Sequence, residues 1–338
     1  MPNARIIGTG RAIPTVLVTN EDLAQRIDTS NEVRHRLDRW IRRRSGIGAR
    51  YWAADGVSGC DLATEASRKA LAASGIEADD LEMIVLATLS PDHFFPGTSA
   101  FLNERLEIPG VPAMDVHCQC TGFLYALSVA NSFIRSQTYR RILVVGSEIH
   151  STGLDLTDRG RDVSILFGDG AAAVVLEATE EDRGILSTHL HADGRYAKSL
   201  WTEAPGSSHH PQRISAEMIE NGSIYPKMDG QLVFKHAVVK LSEVVNEALQ
   251  HNKLGLDDID HFLFHQANLR INEFVAGSLG IPDEKVYNNI QKYGNTSAAA
   301  IPLLLDELVE MDRVKEGQLL LMAGFGSGFT WGSSVIRW

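Results

Sequence analysis

Short apolar runs bounded by polar turns alternate along the chain with longer segments of helical period. Ile84-Val85-Leu86-Ala87 and Ile142-Leu143-Val144-Val145 have the uniform apolar character of strands buried on both faces. Between them, Thr121 to Arg135 reads as a largely apolar helix, and Asp61 to Ala73 and Phe234 to Leu249 read as amphipathic helices. The alternation predicts an α/β protein.

The pattern repeats weakly. Residues 79–86 read Asp-Asp-Leu-Glu-Met-Ile-Val-Leu, and residues 257–264 read Asp-Asp-Ile-Asp-His-Phe-Leu-Phe, an offset of 178. Each follows an amphipathic helix and ends in a buried-looking strand. Arg141-Ile-Leu-Val-Val-Gly146 and Gln318-Leu-Leu-Leu-Met-Ala323 match in kind at nearly the same offset. Two similar halves, 1–178 and 179–338, would bury their sheets and helices against each other and leave a site at the seam. Coincidence is the competing reading, since paired aspartates before a strand are a common turn. Residues 195–230, with Pro205-Gly206-Ser207-Ser208-His209-His210-Pro211, show little periodicity and read as a long loop or excursion near the start of the second half, a candidate functional one.

Composition narrows the function classes. The chain has 338 residues, 44% of them hydrophobic, enough for one large or two ordinary cores. A net charge of -11 argues against a general nucleic-acid or membrane-surface binder. No apolar run approaches the ~20 residues of a membrane helix, and Met1 to Pro14 lacks the apolar core of a signal peptide. The three cysteines, Cys60, Cys118 and Cys120, fit reduced thiols. A soluble cytoplasmic protein is expected.

Four segments could carry chemistry. Cys120 lies where a strand-like stretch, Val111 to Val116, runs into the apolar helix. Free N–H groups and the helix dipole there favour thiolate and are expected to lower the thiol pKa; a small core residue is the alternative. His117, Cys118 and Cys120 are three potential metal ligands within four residues, but the spacing is too tight and no second pair exists. His265 ends an apolar strand, where α/β enzymes place reactive groups, or it is a structural histidine. Asn295 precedes Thr296-Ser297-Ala298-Ala299-Ala300 and is either reactive or a helix cap. The tail Gly324-Phe325-Gly326-Ser327-Gly328 suits a tight turn whose N–H groups face an anion, or merely a sharp turn.

Together the segments resemble the β-ketoacyl-acyl carrier protein synthase III family of the thiolase superfamily. The matching blocks are Thr157-Asp158-Arg159-Gly160, Phe167-Gly168-Asp169-Gly170-Ala171, Ser187-Thr188-His189-Leu190-His191-Ala192-Asp193-Gly194, His265-Gln266-Ala267-Asn268-Leu269-Arg270 and Gly294-Asn295-Thr296-Ser297-Ala298-Ala299. The resemblance implies a thiolase-like, duplicated αβαβα five-layer fold and a homodimer. It makes Cys120 the nucleophile, with His265 and Asn295 as partners in decarboxylative condensation of an acyl-CoA primer with malonyl-acyl carrier protein or malonyl-CoA, starting fatty-acid or related chains. Cys120, Gly326 and Ser327 would form the oxyanion hole. Trp40, Arg44, Arg159 and Gly230 would bind coenzyme A, with Trp40 and Arg159 sandwiching the adenine. Lys235 and Arg270 would dock the carrier protein, and Phe95 would reach the neighbouring subunit's acyl pocket. No metal or redox cofactor is implied; acyl-CoA is a substrate.

The chain departs from the family pattern at His117-Cys118-Gln119, where small residues are usual. Gln119, Ser90-Pro91-Asp92-His93 and Ala204-Pro205-Gly206-Ser207 are similar to a subgroup that makes alkylquinolone signals or other specialised products, the alternative function. Arg34 to Asp38 are extra before Trp40. Gly277 and Ser278 replace residues that are often basic.

Overall fold

A computed structural model describes residues 2–338. Two sheets form its frame. The first draws its five strands from Asn3–Thr179, in the order Asn3–Ala12, Gly170–Thr179, Arg141–Glu148, Met83–Ala87, Ala113–Val116. The second has four strands, in the order Gly184–Ala192, Thr330–Arg337, Leu319–Gly326, His261–Phe264. The order of directions is shared. In both sheets the first two pairings are antiparallel and every pairing after them is parallel.

The repeat in sequence is a repeat in structure. Met83 and His261 begin equivalent strands, as do Arg141 and Leu319, and each pair is 178 residues apart. Helices Gly122–Arg135 and Ala300–Glu310 start at the same offset. The fifth strand of the first sheet is reduced in the second to one parallel bridge, Phe262 to Val286.

These two helices lie between the sheets. Their sequences are apolar nearly all round, which suits a helix covered on every side. Phe123, Leu124, Leu127, Leu304, Leu305 and Leu308 are fully buried with Val85, Val144 and Val174 of one sheet and Leu263, Leu320 and Met322 of the other. Helix Gly59–Ser74 covers the outer face of the first sheet, and Gly230–Asn252 with Leu269–Leu279 covers that of the second. The result is the five-layer αβαβα arrangement. Among the described residues no helix is long and apolar enough to cross a membrane.

One expectation needs correction. Residues 195–230 are not a bare loop. Leu200–Thr202 pairs antiparallel with Pro226–Met228, and Ala216–Glu220 is a short helix capped by the Ser215 side chain. Three-residue strands and a five-residue helix are too short to leave a readable period. The extra residues Arg34 to Asp38 are absorbed within the continuous helix Asn31–Ser45, which ends at Gly46 with φ 81°.

Candidate active site

Cys120 sits in a single 3-10 turn, Gln119–Thr121, that feeds helix Gly122–Arg135. Gln119 takes a left-handed φ of 43°, which bends the chain sharply between strand and helix. Close packing fixes the turn. A Cβ on Gly122 would meet the Ala87 Cβ at 3.1 Å and that of Ala298 at 3.4 Å. A Cβ on Gly326 would meet the Cys120 Cβ at 2.9 Å. Strand Leu319–Gly326 therefore ends directly on the thiol residue.

The thiol is 7% exposed. Ser297 Oγ donates to its Sγ at 3.5 Å. Sequence position predicted a lowered pKa; the structure reverses this. Burial pushes the thiol from its ordinary 9.0 up to about 12, helped by the charge of Glu148 and opposed by the Ser297 hydroxyl. A helix N-terminus contributes ~0.3–1 kcal/mol, less than one pKa unit, whereas burial of a charge costs several. Burial wins, and the resting group is the thiol.

Asn295 reaches this turn through two neighbours. Its backbone is held by Leu166 O at 2.8 Å and by Gly168 N–H at 3.0 Å. Its Oδ1 accepts the Ser297 N–H at 2.8 Å, which leaves Nδ2 as the group able to donate to a substrate. His265 follows strand His261–Phe264, and its N–H donates to Ala323 O at 2.8 Å. It is 3% exposed, and both ring nitrogens are buried without a hydrogen-bond partner among the described residues. Burial holds its pKa down to about 3, so the ring is neutral. Gln266 braces both segments. Its Nε2 donates to Phe264 O, and its Oε1 accepts from Asn289 and Ile290 N–H, just before the Asn295 loop.

A cavity of about 870 Å³ opens on Cys120. His117, Gln119, Phe167 and Ser327 line it, together with Leu200, Trp201 and Pro205 from the 195–230 excursion. Ser327 Oγ donates to Leu200 O, tying that excursion to the glycine turn. Cys118 lies elsewhere, with the Thr121 hydroxyl donating to its Sγ at 3.7 Å.

Two residues here were missed from sequence. Glu148 is fully buried at the end of strand Arg141–Glu148. It accepts from Ser90 Oγ at 2.6 Å and from Ala298 N–H at 3.3 Å, and burial pushes its carboxyl up to about 7. His150 lines the cavity, and its ring packs on Phe167 with centroids 4.5 Å apart. The strand-end rule that singled out His265 would have found both.

The remaining candidates divide. Arg44 and Arg161 lie over the Trp40 ring, 5.1 and 5.8 Å from its centroid. Arg159, expected on one side of the adenine, bonds Asp155 at 2.6 Å and Glu220 O at 2.9 Å, and lies 5.9 Å from the Tyr225 ring. Gly230 begins its helix with Arg44 nearby, where an added Cβ would meet Nη2 at 3.6 Å. Lys235 is exposed. Arg270 is occupied: it bonds Glu273 and donates to Arg42 O and Arg43 O at the end of helix Asn31–Ser45, a favourable place for a cation. Phe95 is 79% exposed and does not line its own chain's cavity.

The fold and site define an acyl-transferring ketosynthase. Models of 3-oxoacyl-[acyl-carrier-protein (ACP)] synthase III match residues 114–194, and those of its C-terminal part match residues 249–338. The β-ketoacyl-[acyl-carrier-protein] synthase III of Xanthomonas campestris pv. campestris is 46% identical over 337 residues, covering 99% of this chain and 98% of that one. The crystal structure of 3-oxoacyl-[acyl-carrier-protein] synthase III from Aquifex aeolicus VF5 is 38% identical with a TM-score of 0.88, covering 99% of this chain and 100% of that one. The priming β-ketosynthase of the R1128 polyketide biosynthetic pathway is 31% identical with a TM-score of 0.87, over 99% and 96% of the two chains. This chain belongs to the β-ketoacyl-acyl carrier protein synthase III family.

Proposed function

We propose that the protein starts acyl chains by moving a primer from coenzyme A onto Cys120 and condensing it with a malonyl thioester. The observation that carries this reading is the convergence on one buried thiol of the Asn295 segment, through Ser297, and of the strand beside His265, through Gly326.

In the first step the Cys120 sulfur attacks the thioester carbonyl, the bond to the coenzyme A sulfur breaks, and the thiol proton leaves with coenzyme A. His265, neutral and with both ring nitrogens unpartnered among the described residues, is suited to relay that proton. N–H groups of Cys120 and of the Gly326–Ser327 turn hold the oxyanion. In the second step the malonyl carboxylate leaves as CO2 and its electron pair remains as an enolate. His265 and Asn295 Nδ2 donate to the enolate oxygen. The enolate carbon attacks the acyl carbonyl, and Cys120 leaves and recovers a proton.

Trp40 with Arg44 and Arg161 offers a stacking and phosphate-binding entrance for coenzyme A, with Gly230 beside it. Lys235 is the exposed cation for an acidic carrier protein. Phe94 and Phe95, 69% and 79% exposed, support a homodimer in which Phe95 enters the partner's site. Free cysteines, Cys60 and Cys120 buried and Cys118 half-buried, suit the cytoplasm. Supplying primer acyl-CoA with malonyl carrier protein or malonyl-CoA should yield a β-ketoacyl thioester and CO2. Absence of both products with either extender overturns the reading.

A further inference from the structure

The oxyanion hole described above is split between two turns. The Cys120 N–H belongs to the 3-10 turn Gln119–Thr121, and the Ser327 N–H to the glycine turn between strands Leu319–Gly326 and Thr330–Arg337. Among the described residues no backbone hydrogen bond joins the two turns. The glycine turn is tied on its far side to its own half. Phe329 and Asp193 exchange backbone hydrogen bonds at 2.8 and 2.7 Å, and Ser327 Oγ donates to Leu200 O. Those ties seat the turn within the second half and leave its distance from Cys120 to other contacts.

Two threonines bridge that distance. Thr121 Oγ1 and Thr330 Oγ1 lie 2.7 Å apart, across 209 positions of sequence. Both residues are buried, where a hydroxyl left without a partner costs ~1–3 kcal/mol. Each hydroxyl has one proton. When Thr330 donates across the pair, Thr121 turns its own proton to Cys118 O, 2.9 Å away. When Thr121 donates, Thr330 turns its own to Ser327 O, 3.1 Å away. Both arrangements link the turns. Thr330 also packs on the glycine turn, with its Cγ2 3.0 Å from where a Cβ on Gly328 would stand.

We propose that Thr121 and Thr330 are positioning residues that set the spacing of the oxyanion hole, and with it the rate of acyl transfer to Cys120. The inference rests on the reading of Cys120 and the Gly326–Ser327 turn as that hole. Donors act at ~2.7–3.1 Å from the developing oxyanion, and a misplacement of ~1 Å costs about a hundredfold. Neither hydroxyl bonds the Cys120 thiol, whose partner is Ser297. Loss of the pair should therefore move the hole and leave the reactivity of the thiol itself in place.

The test compares two reactions of Cys120 in the whole protein. Transfer from an acyl-CoA passes through a tetrahedral oxyanion, whereas iodoacetamide alkylation displaces iodide and forms none. Thr121→Val and Thr330→Val should each slow acylation at saturating acyl-CoA by about tenfold or more. The half-saturating acyl-CoA concentration and the alkylation rate should stay close to wild type. The double variant should be no slower than the slower single one, because both changes remove one link. Thr121→Ser, which keeps the hydroxyl, should retain most of the rate. Unchanged acylation in both valine variants, multiplied losses in the double variant, or alkylation slowed as much as acylation overturns the inference while leaving Cys120 as the acylated residue. If a valine variant fails to fold, Thr121→Ser against Thr121→Ala decides by the same ratio of acylation to alkylation. Failure of every acyl-CoA to modify wild-type Cys120 overturns the primary reading, and this one with it.

Discussion

Gln119 and Ser297 adopt the same left-handed backbone, φ 43° and 48°, at equivalent points of the two halves, 178 residues apart. Each opens a one-turn 3-10 helix, Gln119–Thr121 and Ser297–Ala299, that enters a central helix. Such a conformation costs a non-glycine residue ~1–2 kcal/mol. Its recurrence shows that both halves use the same sharp turn to enter the middle layer. The turns meet, so one presents Cys120 and the other presents Ser297 to it.

Removing that hydroxyl should make the thiol a poorer nucleophile. The Ser297 hydrogen bond lowers the Cys120 pKa, so Ser297→Ala should raise it. Iodoacetamide alkylation of Cys120 at pH 8 is expected to slow about fivefold, one net hydrogen bond of ~1 kcal/mol.

Glu148 acts in the opposite direction, since its charge raises the Cys120 pKa. Glu148→Gln removes the charge and keeps an acceptor for the Ala298 N–H. The midpoint of the alkylation pH profile should move down, and an upward shift would contradict this electrostatic account.

The buried histidines make stability depend on pH. His150 and His265 have folded values near 3, well below the ordinary 6.5. Their neutral burial therefore favours folding above pH 6.5, and the advantage is lost as pH falls from 6.5 toward 3. Glu148, raised to about 7 from 4.5, opposes them: its advantage is complete below 4.5 and lost as pH rises through 7. Between pH 4.5 and 6.5 the two histidines outweigh Glu148, so this cluster should make the protein less stable as pH falls through that range. His150→Leu should reduce that loss in urea unfolding compared at pH 5 and pH 6.5.

Gly326 tests the packing. A methyl group there would lie 2.9 Å from the Cys120 Cβ and 3.2 Å from its backbone nitrogen. Gly326→Ala should reduce Cys120 acylation at least tenfold through displacement of the turn, with far-UV circular dichroism little changed.

The layered fold was legible because each half announces itself twice, with Asp-Asp before a buried strand and an apolar segment before a glycine. The pairs Asp79-Asp80 and Asp257-Asp258 do lie in matching 3-10 turns ahead of matching strands. Position and family pattern singled out Cys120, His265 and Asn295, and the structure brings the Asn295 segment to Cys120 through Ser297 and the strand beside His265 to it through Gly326. What escaped depends on contacts between distant residues: Ser297 reaches across 177 positions to Cys120, and Ser90 reaches 58 to Glu148. The direction of the Cys120 pKa was misread for the same reason, because a helix start is visible in sequence and the burial around it is not. Arg159 is paired with Asp155, four residues before it.

The most direct test of the account is the mass of the protein after exposure to a mixed panel of acyl-CoAs, followed by peptide mapping. One acyl group on Cys120 is predicted, lost in Cys120→Ala and retained in large part in His265→Ala, which should instead lose CO2 release from the malonyl thioester. No adduct across the panel, or an adduct on Cys118 or Cys60 with Cys120 unmodified, would contradict it.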